Sequence, residues 1–274
     1  MRGVVRLSEE MNMGSAVVVV LVALMFGPTQ ATITTSSLTP GDIFVTDDAF
    51  PAVLKIDPVS GTQTVVASGG DLVLPLGIAI GPDGNLYIAD DDAFGGDGAV
   101  FRINPDTGTM ETVSAGNLFV DPTGLTFDAD GMILIADEAG SGAVIRVDPA
   151  TGDQTLVSDD DLMEEPDGLV VDFDGNILVA DADAAAGGNG AIIRIDPLTG
   201  NQELVSSGGN LVNPTGIALE ADGTIVVADW GLRPSAEADG RVLRINPTTG
   251  VQTVVAMGGN LVDTSGVAID SDGT

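Results

Sequence analysis

Five copies of one segment recur along this chain of 274 residues. Four complete copies begin PLGIAIGPDGNLYIAD at Pro75, PTGLTFDADGMILIAD at Pro122, PDGLVVDFDGNILVAD at Pro166 and PTGIALEADGTIVVAD at Pro214. The fifth copy, TSGVAIDSDGT from Thr264, contains only the opening of the segment, and GDIFVTDDAFPAVLKIDPVSGTQTVVASGG from Gly41 matches the remainder. Repeats of this length, made of short apolar runs and glycine turns, predict an all-β fold of the β-propeller type.

Each copy contains four short runs that are typical of strands, and turn residues separate them. In the copy from Pro75 the runs are GIAI, LYIAD, VFRIN and TMETVSA. Turns such as DADG and NPDTG place glycine where the backbone needs a positive φ, so they predict tight hairpins within a four-stranded blade. A DxDG sequence is also compatible with a metal site, although it lacks the further ligands of an EF-hand loop. Hairpin turns are the interpretation we favour.

The number of blades follows from an aspartate that closes the second strand of each copy. This residue recurs as Asp47, Asp90, Asp137, Asp181 and Asp229. The spacing predicts five blades, with an N-/C-terminal clasp in which the C-terminus supplies the first strand of one blade and the N-terminus its other three. Such a clasp hides an edge strand. If the chain is a fragment, the same pattern predicts six or more blades.

The N-terminal region differs from the repeats. Arg2 and Arg6 precede the apolar run AVVVVLVALMF, and small residues follow as far as Ala31. This order predicts a signal peptide over residues 1–31, a flexible lead-in over 32–40 and the propeller domain over 41–274. An uncleaved anchor or a buried strand is the alternative for the apolar run. The signal peptide predicts a secreted, periplasmic or extracellular protein, with no membrane insertion of the mature domain.

Charge limits the classes of partner. The chain has 41 acidic and 9 basic residues, giving a net charge of −32, and it contains no His and no Cys. Phosphates would be repelled, so nucleic acid is excluded as a partner, and cations or basic proteins are favoured. The composition also excludes disulfides, thiol catalysis and histidine as a general base. We expect a monomer that binds an unidentified protein or cationic ligand.

Most of the loops after the second strands are acidic, and two interpretations of these acids are open. The repeated aspartates could form structural pairs with bases at one position of the third strand, which neutralise charge between blades. The bases at that position are Lys55, Arg102, Arg146, Arg194 and Arg244. Four further acids have no such partner in the pattern and are candidate ligands for Ca²⁺ or another divalent cation. They are Asp91, Asp92, Glu138 and Asp183.

The longest of these loops begins with the single tryptophan of the chain. Trp230 follows Asp229, and Arg233 lies close in sequence. Tryptophan and arginine are enriched at binding hot spots, so the two residues are candidates for contact with a protein partner. Packing over the channel mouth is the alternative for Trp230.

The pattern P-x-G-[ILV]-x-[ILFV]-[DEG]-x-D-G-[NTM]-[ILY]-x-[IV]-A-D resembles NHL repeats. It is also similar to the propeller group that contains the gluconolactonase/regucalcin (SMP-30) family and streptogramin B lyase. The resemblance to the lactonases implies a divalent metal in the central channel, with Asp167 of PDGLVVD as a ligand and Asp229 or Glu165 as helper. The resemblance to the lyase implies a catalytic histidine, which this chain does not contain.

Together these features predict a secreted propeller that binds or scaffolds through an acidic loop rim and does not catalyse a reaction. The alternative is a metal-dependent lactonase, hydrolase or lyase that uses a bound cation to polarise a carbonyl. A structural module of a larger cell-surface protein is a third possibility. Whether the chain is an enzyme is left open by the sequence.

Overall fold

The structure is a computed structural model that describes residues 19–21, 38, 41–138, 140–184, 189–231, 239–262 and 264–269. It contains five blades of four antiparallel strands arranged in a ring, which confirms the predicted β-propeller. Within the described ranges, no helix is long and apolar enough to cross a membrane. One short helical turn, α1 (Ala93–Gly96), interrupts the loop after the second strand of blade 2.

The blades follow one another along the chain, and each is a simple meander. Blade 1 contains β1 (Val19–Leu21), β2 (Ile43–Asp47), β3 (Ala52–Ile56) and β4 (Gln63–Ser68). Blade 2 contains β5 (Pro75–Ile80), β6 (Leu86–Asp90), β7 (Ala99–Ile103) and β8 (Met110–Ala115). Blade 3 contains β9 (Pro122–Phe127), β10 (Ile133–Asp137), β11 (Ala143–Val147) and β12 (Gln154–Asp159).

Blade 4 contains β13 (Pro166–Val171), β14 (Ile177–Asp181), β15 (Ala191–Ile195) and β16 (Gln202–Ser207). Blade 5 contains β17 (Pro214–Leu219), β18 (Ile225–Asp229), β19 (Arg241–Ile245) and β20 (Gln252–Met257). The first strand of each blade is the inner strand, and these inner strands pack against one another in the order β1, β5, β9, β13 and β17.

The core lies between the blades because the two middle strands of a blade are covered on both faces. All five residues of β6, β10, β14 and β18 are buried. Alternate residues of these strands pack against the preceding and the following blade, so Ile88 faces blade 1 whereas Ala89 faces blade 3. This two-sided burial explains why the runs show no clean alternation of apolar and polar residues.

The turns have the predicted chemistry. Gly131 at the end of DADG has a φ of 80°, and Gly108 at the end of NPDTG has a φ of 66°. In the first turn of blade 3, the Asp128 carboxylate accepts hydrogen bonds from the N–H groups of Asp130 and Met132. The aspartate of this turn therefore stabilises the hairpin, as the favoured interpretation of the DxDG sequences requires.

Hydrogen bonds also join the outer strands of neighbouring blades. At the junction of blades 3 and 4, the Gln202 side chain donates to Ser158 Oγ (3.0 Å), and Ser158 Oγ donates to the Gly200 carbonyl (2.8 Å). The same arrangement joins blades 2 and 3 and blades 4 and 5. The corresponding positions at the junction of blades 1 and 2 are Ala67 and Met110, which pack as apolar side chains.

The first blade differs from the predicted clasp. Its inner strand is β1, in the apolar run of the predicted signal peptide, and not the C-terminal segment. Residues 264–269 lie instead beside β17, where Thr215 Oγ1 donates to the Thr264 carbonyl at 3.0 Å. The reason is that Val19–Leu21 offers β2 an extended apolar segment that pairs with it as the C-terminal segment was expected to do.

Candidate functional site

The aspartate that ends the second strand of blades 2 to 5 is buried and bonded to backbone. Asp181 accepts hydrogen bonds from the N–H groups of Glu164 (2.9 Å), Glu165 (3.3 Å) and Asp183 (3.1 Å). The other three aspartates make equivalent bonds; they are Asp90, Asp137 and Asp229. These carboxylates hold the connection from the preceding blade, so their primary role is structural. Asp47 in blade 1 is half-buried and accepts from Phe50 N–H.

Burial dominates the protonation of these aspartates. Burial raises the pKa of Asp90, Asp181 and Asp229 above the ordinary value, and hydrogen bonds from backbone N–H groups act in the opposite direction. At Asp229 the positive charge of Arg241, 3.8 Å away, also opposes the rise in pKa. A buried carboxylate bonded to several N–H groups is a stable structural acceptor.

The predicted pairs between these aspartates and the bases of the third strand are wrong, because the strand register separates them. Asp90 is opposite Ala99 at one end of the β6–β7 hairpin, whereas Arg102 is opposite Tyr87, three residues further along. At about 3.3 Å per residue the two side chains lie about 10 Å apart along the strand. The same register separates Asp47 from Lys55, Asp137 from Arg146, Asp181 from Arg194 and Asp229 from Arg244.

The bases pair instead with acids at the opposite end of each blade. Lys55 Nζ lies 2.8 Å from Asp42, and Arg244 lies 2.6 Å from Glu220. The other pairs join Arg102 to Asp83 and Glu111, Arg146 to Asp128, and Arg194 to Asp172 and Glu203. Most of these acids lie in the turn between the first and second strands of a blade, and Asp42 directly precedes the second strand of blade 1.

The two ends of the propeller therefore differ in charge. We call the edge with the loops after the second strands and the connections between blades the loop rim, and the edge with the tight turns the turn rim. Of the six bases that the structure describes, the five at the repeated third-strand position lie toward the turn rim, whereas Arg241, at the start of β19, lies on the loop rim. Acids occur on both rims, but five of the six described bases neutralise acids near the turn rim. Among the described residues, the loop rim therefore carries the larger uncompensated negative charge.

Two carboxyl groups meet on the loop rim between blades 2 and 3. The side chain of Asp91 is half-buried, its Oδ1 is buried without a hydrogen-bond partner among the described residues, and Asp121, the residue before Pro122, adds a nearby negative charge. Burial, followed by the negative charges of Asp121 and Asp92, raises the pKa of Asp91 to about 7. Burial and neighbouring negative charge both disfavour the charged form of a carboxyl group, so Asp91 is partly protonated near neutral pH. The sequence indicated Asp91 and Asp92 but missed Asp121, whose only signal is its place directly before the repeat proline.

The other candidate ligands do not converge in the described residues. Asp183 bonds through its N–H to Asp181, and Glu138 N–H donates to the Asp121 carbonyl at 3.0 Å. Asp167 lies on β13, and its carbonyl oxygen accepts from Thr123 Oγ1 at 3.4 Å. In the parts of the chain that the structure describes, no three His, Cys, Asp or Glu residues come together to hold a metal ion. Asp167 as a metal ligand therefore stays a prediction.

The candidate partner contact is described only in part. Trp230 is half-buried, and its N–H donates to the Asn213 carbonyl at 2.8 Å, which fixes the start of the longest loop. Arg233 lies outside the described residues.

The sequence analysis also missed the hydrogen-bonded Gln and Ser pairs between blades. Gln begins the fourth strand in four of the five copies, so this signal is visible in the repeat.

Comparisons with known proteins agree with this architecture. Among solved structures, the fold is similar to a chain of a nidogen/laminin complex, with a TM-score of 0.66 and 16% identity over 82% of this chain and 79% of that one. A gluconolactonase from Xanthomonas campestris gives a TM-score of 0.66 with 16% identity, over 85% of this chain and 77% of that one. The virginiamycin B lyase of Staphylococcus aureus gives 0.62 with 16% identity, over 92% and 78%. At this identity the similarities show the fold alone.

No curated protein sequence matches the chain. The model of one family, described as the SMP-30/Gluconolactonase/LRE-like region, matches residues 28–205. This match includes the first three blades from β2 onward and most of the fourth, which is more than half of the chain. The chain therefore belongs to the SMP-30/gluconolactonase/LRE-like family of β-propellers.

Proposed function

We propose that this propeller is an exported binding module that recognises a cationic partner through its loop rim and does not act by turnover. The observation that carries the proposal is the difference in charge between the two rims. The third-strand bases are held near the turn rim by the strand register, where they pair with acids. The loop rim is left to attract positive charge.

Within the loop rim, the structural aspartates can be set aside because they are buried and bonded to backbone. Asp91, Asp92 and Asp121 remain as neighbours at the junction of blades 2 and 3. A lysine or arginine side chain placed against Asp91 and Asp121 would favour ionisation of Asp91, because a positive charge stabilises its carboxylate. This junction is therefore the centre of the proposed surface.

A cationic peptide or protein suits this surface better than a chelated metal ion. Ca²⁺ takes six to eight oxygen ligands, and no three acidic side chains converge within the described residues. A basic segment needs only complementary charge and exposed carboxylates, which are spread over several blades of this rim. Binding of divalent cations is tested separately, by thermal melting.

The test measures binding of a fluorescent hexalysine peptide to the full chain by anisotropy, at two salt concentrations. We expect Asp91→Asn combined with Asp121→Asn to weaken binding about fivefold, since two partly exposed charge pairs contribute about 1 kcal/mol together. The matched control is Asp130→Asn combined with Asp174→Asn, which removes two exposed acids from the turn rim. Equal losses in both double variants contradict a defined loop-rim surface.

Calcium is tested on the same proteins by thermal melting at constant ionic strength. Binding of a ligand to the folded state alone raises its stability by about 2.7 kcal/mol at one hundred times the dissociation constant. We expect no specific rise in Tm with millimolar Ca²⁺ beyond that given by Mg²⁺. A rise that Asp91→Asn abolishes favours a cation site over a site for a basic partner.

Export is supported by the predicted signal peptide over residues 1–31. The expression of the full gene in a secreting host, with mass spectrometry of the extracellular or periplasmic product, tests it. A product that begins near Thr32 supports export, and a product that retains Met1 inside the cell contradicts it.

A lactonase is the second candidate, because the family contains gluconolactonases and Asp167 stands on an innermost strand. A panel of sugar lactones with added divalent metals tests this candidate. Hydrolysis that Asp167→Asn abolishes, in a protein with an unchanged Tm, would replace the binding module as the proposed function.

A further inference from the structure

The inner strands of the ring continue beyond blade 5. Each inner strand of blades 2 to 5 carries a glycine against the backbone of the next inner strand. A Cβ at Gly216 of β17 would lie 2.8 Å from the Ser265 carbonyl oxygen, as a Cβ at Gly168 would approach the Thr215 carbonyl oxygen. Residues 264–269 therefore stand where the inner strand of the blade after blade 5 belongs.

The same residues fit the edge of β2 in a defined register. In blade 2 the inner strand pairs Ile78 with Ile88 and Ile80 with Leu86. Transferred to the fifth copy by its repeat position, this register opposes Val267 to Val45 and Ile269 to Ile43. The structure places β1 in that register: Val19 is opposite Val45, Val20 opposite Phe44 and Leu21 opposite Ile43. Two segments of the chain thus match one strand position.

The face of blade 1 that points away from blade 2 is incompletely covered. Leu54 and Ile56 of β3 are half-buried, whereas their counterparts in blade 2, Phe101 and Ile103, are completely buried by the preceding blade. A Cβ on Gly61 meets nothing within 4 Å, but one on Gly200, its counterpart in blade 4, would lie 2.6 Å from a carbonyl oxygen of blade 3. Blade 1 therefore has an apolar face of the kind that a preceding blade covers in blades 2 to 5.

Blade 5 shows the complementary deficit. Ala256 of β20 is exposed, whereas Ser206, its counterpart in blade 4, is buried and bonded to blade 5. Val255 is 48% exposed, and Leu261 is half-buried although its counterpart Leu211 is 1% exposed. Among the described residues, blade 5 thus lacks the cover of a following blade, and blade 1 lacks the cover of a preceding one.

We infer that the edge of β2 is a strand-binding site for which two segments of this chain compete. Val19–Leu21 occupies it in the full chain, and residues 267–269 occupy it when the N-terminal segment leaves. In the second state blade 5 closes onto blade 1, with residues 264–269 beside β17 and paired with β2. Closure buries Leu54, Ile56 and Val255 and places Gln63 against blade 5, as Gln202 lies against blade 3. Cleavage at the predicted site near Ala31 is the event that frees the edge.

The absence of cysteine in the sequence makes the exchange measurable by engineered disulfides. Two reporter pairs share one half-buried position: Leu21→Cys with Ile43→Cys reports β1, and Ile43→Cys with Ile269→Cys reports the C-terminal segment. Each pair is placed in the full chain with and without Val20→Pro, because proline cannot donate to the ladder and disfavours strand pairing. Thr34→Pro, in the predicted lead-in, is the control substitution.

In the parent chain we expect the first pair to oxidise and the second to stay reduced. Val20→Pro should reverse this preference at least tenfold, and Thr34→Pro should leave it unchanged. Far-ultraviolet circular dichroism and melting establish that each variant is folded. Folded Val20→Pro protein in which the second pair stays reduced overturns the inference, because the edge of β2 is then left to another occupant. Disulfide-linked dimers also overturn it, since they indicate that a second copy supplies the strand.

Discussion

Asp181 is buried at the end of β14, and three backbone N–H groups from Glu164, Glu165 and Asp183 donate to it. Removing this carboxylate leaves backbone N–H groups without an acceptor beside a buried position, where water cannot easily replace it. We expect Asp181→Ala to lower the free energy of unfolding by about 3 kcal/mol, as measured by urea denaturation. Asp47→Ala is the matched control, because Asp47 has the same repeat position but is half-buried and accepts from Phe50. A loss at Asp47 equal to that at Asp181 contradicts the proposed structural role.

The carboxyl pair on the loop rim makes stability depend on pH. The pKa of Asp91 is raised to about 7, chiefly by burial and then by the charge of Asp121, from an ordinary value of 3.8. The folded chain thus keeps a proton that the unfolded chain releases, so this group lowers stability as pH rises from about 4 to about 7. Asparagine cannot ionise. We expect Asp91→Asn to stabilise the protein by about 1–2 kcal/mol above pH 7, after allowance for partial exposure.

The measurement for Asp91 is urea denaturation of the parent and the variant at several pH values between 4 and 8. The difference in the free energy of unfolding should vanish near pH 4 and grow toward pH 8. Asp97→Asn, at an exposed acid of the same loop, should give a nearly constant difference. A constant difference for Asp91→Asn as well would contradict a raised pKa of Asp91 in the folded chain.

The sequence predicted where the repeated aspartates stand but not what they bond. Their partners are N–H groups 16 and 17 residues earlier, as for Asp90 with Leu74 and Val73, and backbone donors leave no compositional signal. The pairing of Asp90 with Arg102 failed because it was inferred from adjacent strands without the register, which places Arg102 opposite Tyr87. The electrostatic effect of Asp121 on Asp91 acts between two copies of the repeat, so no single copy contains it.

At the scale of strands, hydrogen bonds between outer strands hold neighbouring blades together. Gln202 of β16 donates to Ser158 Oγ and to the Asp160 carbonyl, and its own carbonyl accepts from Leu162 N–H at 2.9 Å. We expect Gln202→Ala to lower the free energy of unfolding by about 2 kcal/mol, since about two net hydrogen bonds are lost. Gln63→Ala, at the same repeat position in blade 1, is the control because Gln63 is exposed. Equal effects of the two substitutions contradict a role in joining blades.

The strands themselves could be predicted because four of the five blades repeat one pattern of apolar runs and turns. β1 could not be assigned from that pattern, since VVL in an apolar run fits a strand, a signal peptide or an anchor equally well. Whether such a segment forms a strand depends on whether the rest of the fold offers it an apolar surface to pack against. The half-buried Leu54 and Ile56 of blade 1 show that one such surface is present here.

At the scale of the whole molecule, the charge of −32 works against the compact state. The third-strand bases offset part of it near the turn rim, but their ion pairs are partly exposed and contribute about 0–1 kcal/mol each. The remaining repulsion acts over distances comparable to the Debye length, which shortens from about 30 Å at 0.01 M salt to about 8 Å at 0.15 M. Added salt should therefore weaken the repulsion among the acids more than it weakens the attraction within the ion pairs.

We expect the Tm of the full chain to rise by about 3 °C between 0.01 M and 0.3 M NaCl, which corresponds to about 1–2 kcal/mol for a chain of this size. Most of the rise should come below 0.15 M, where screening changes fastest, and KCl should give the same curve because only ionic strength matters. A Tm that falls with salt would mean that the ion pairs near the turn rim outweigh the repulsion among the acids. The difference in charge between the rims would then stabilise the fold, and the proposal that the loop rim is free to bind a cationic partner would lose its physical basis.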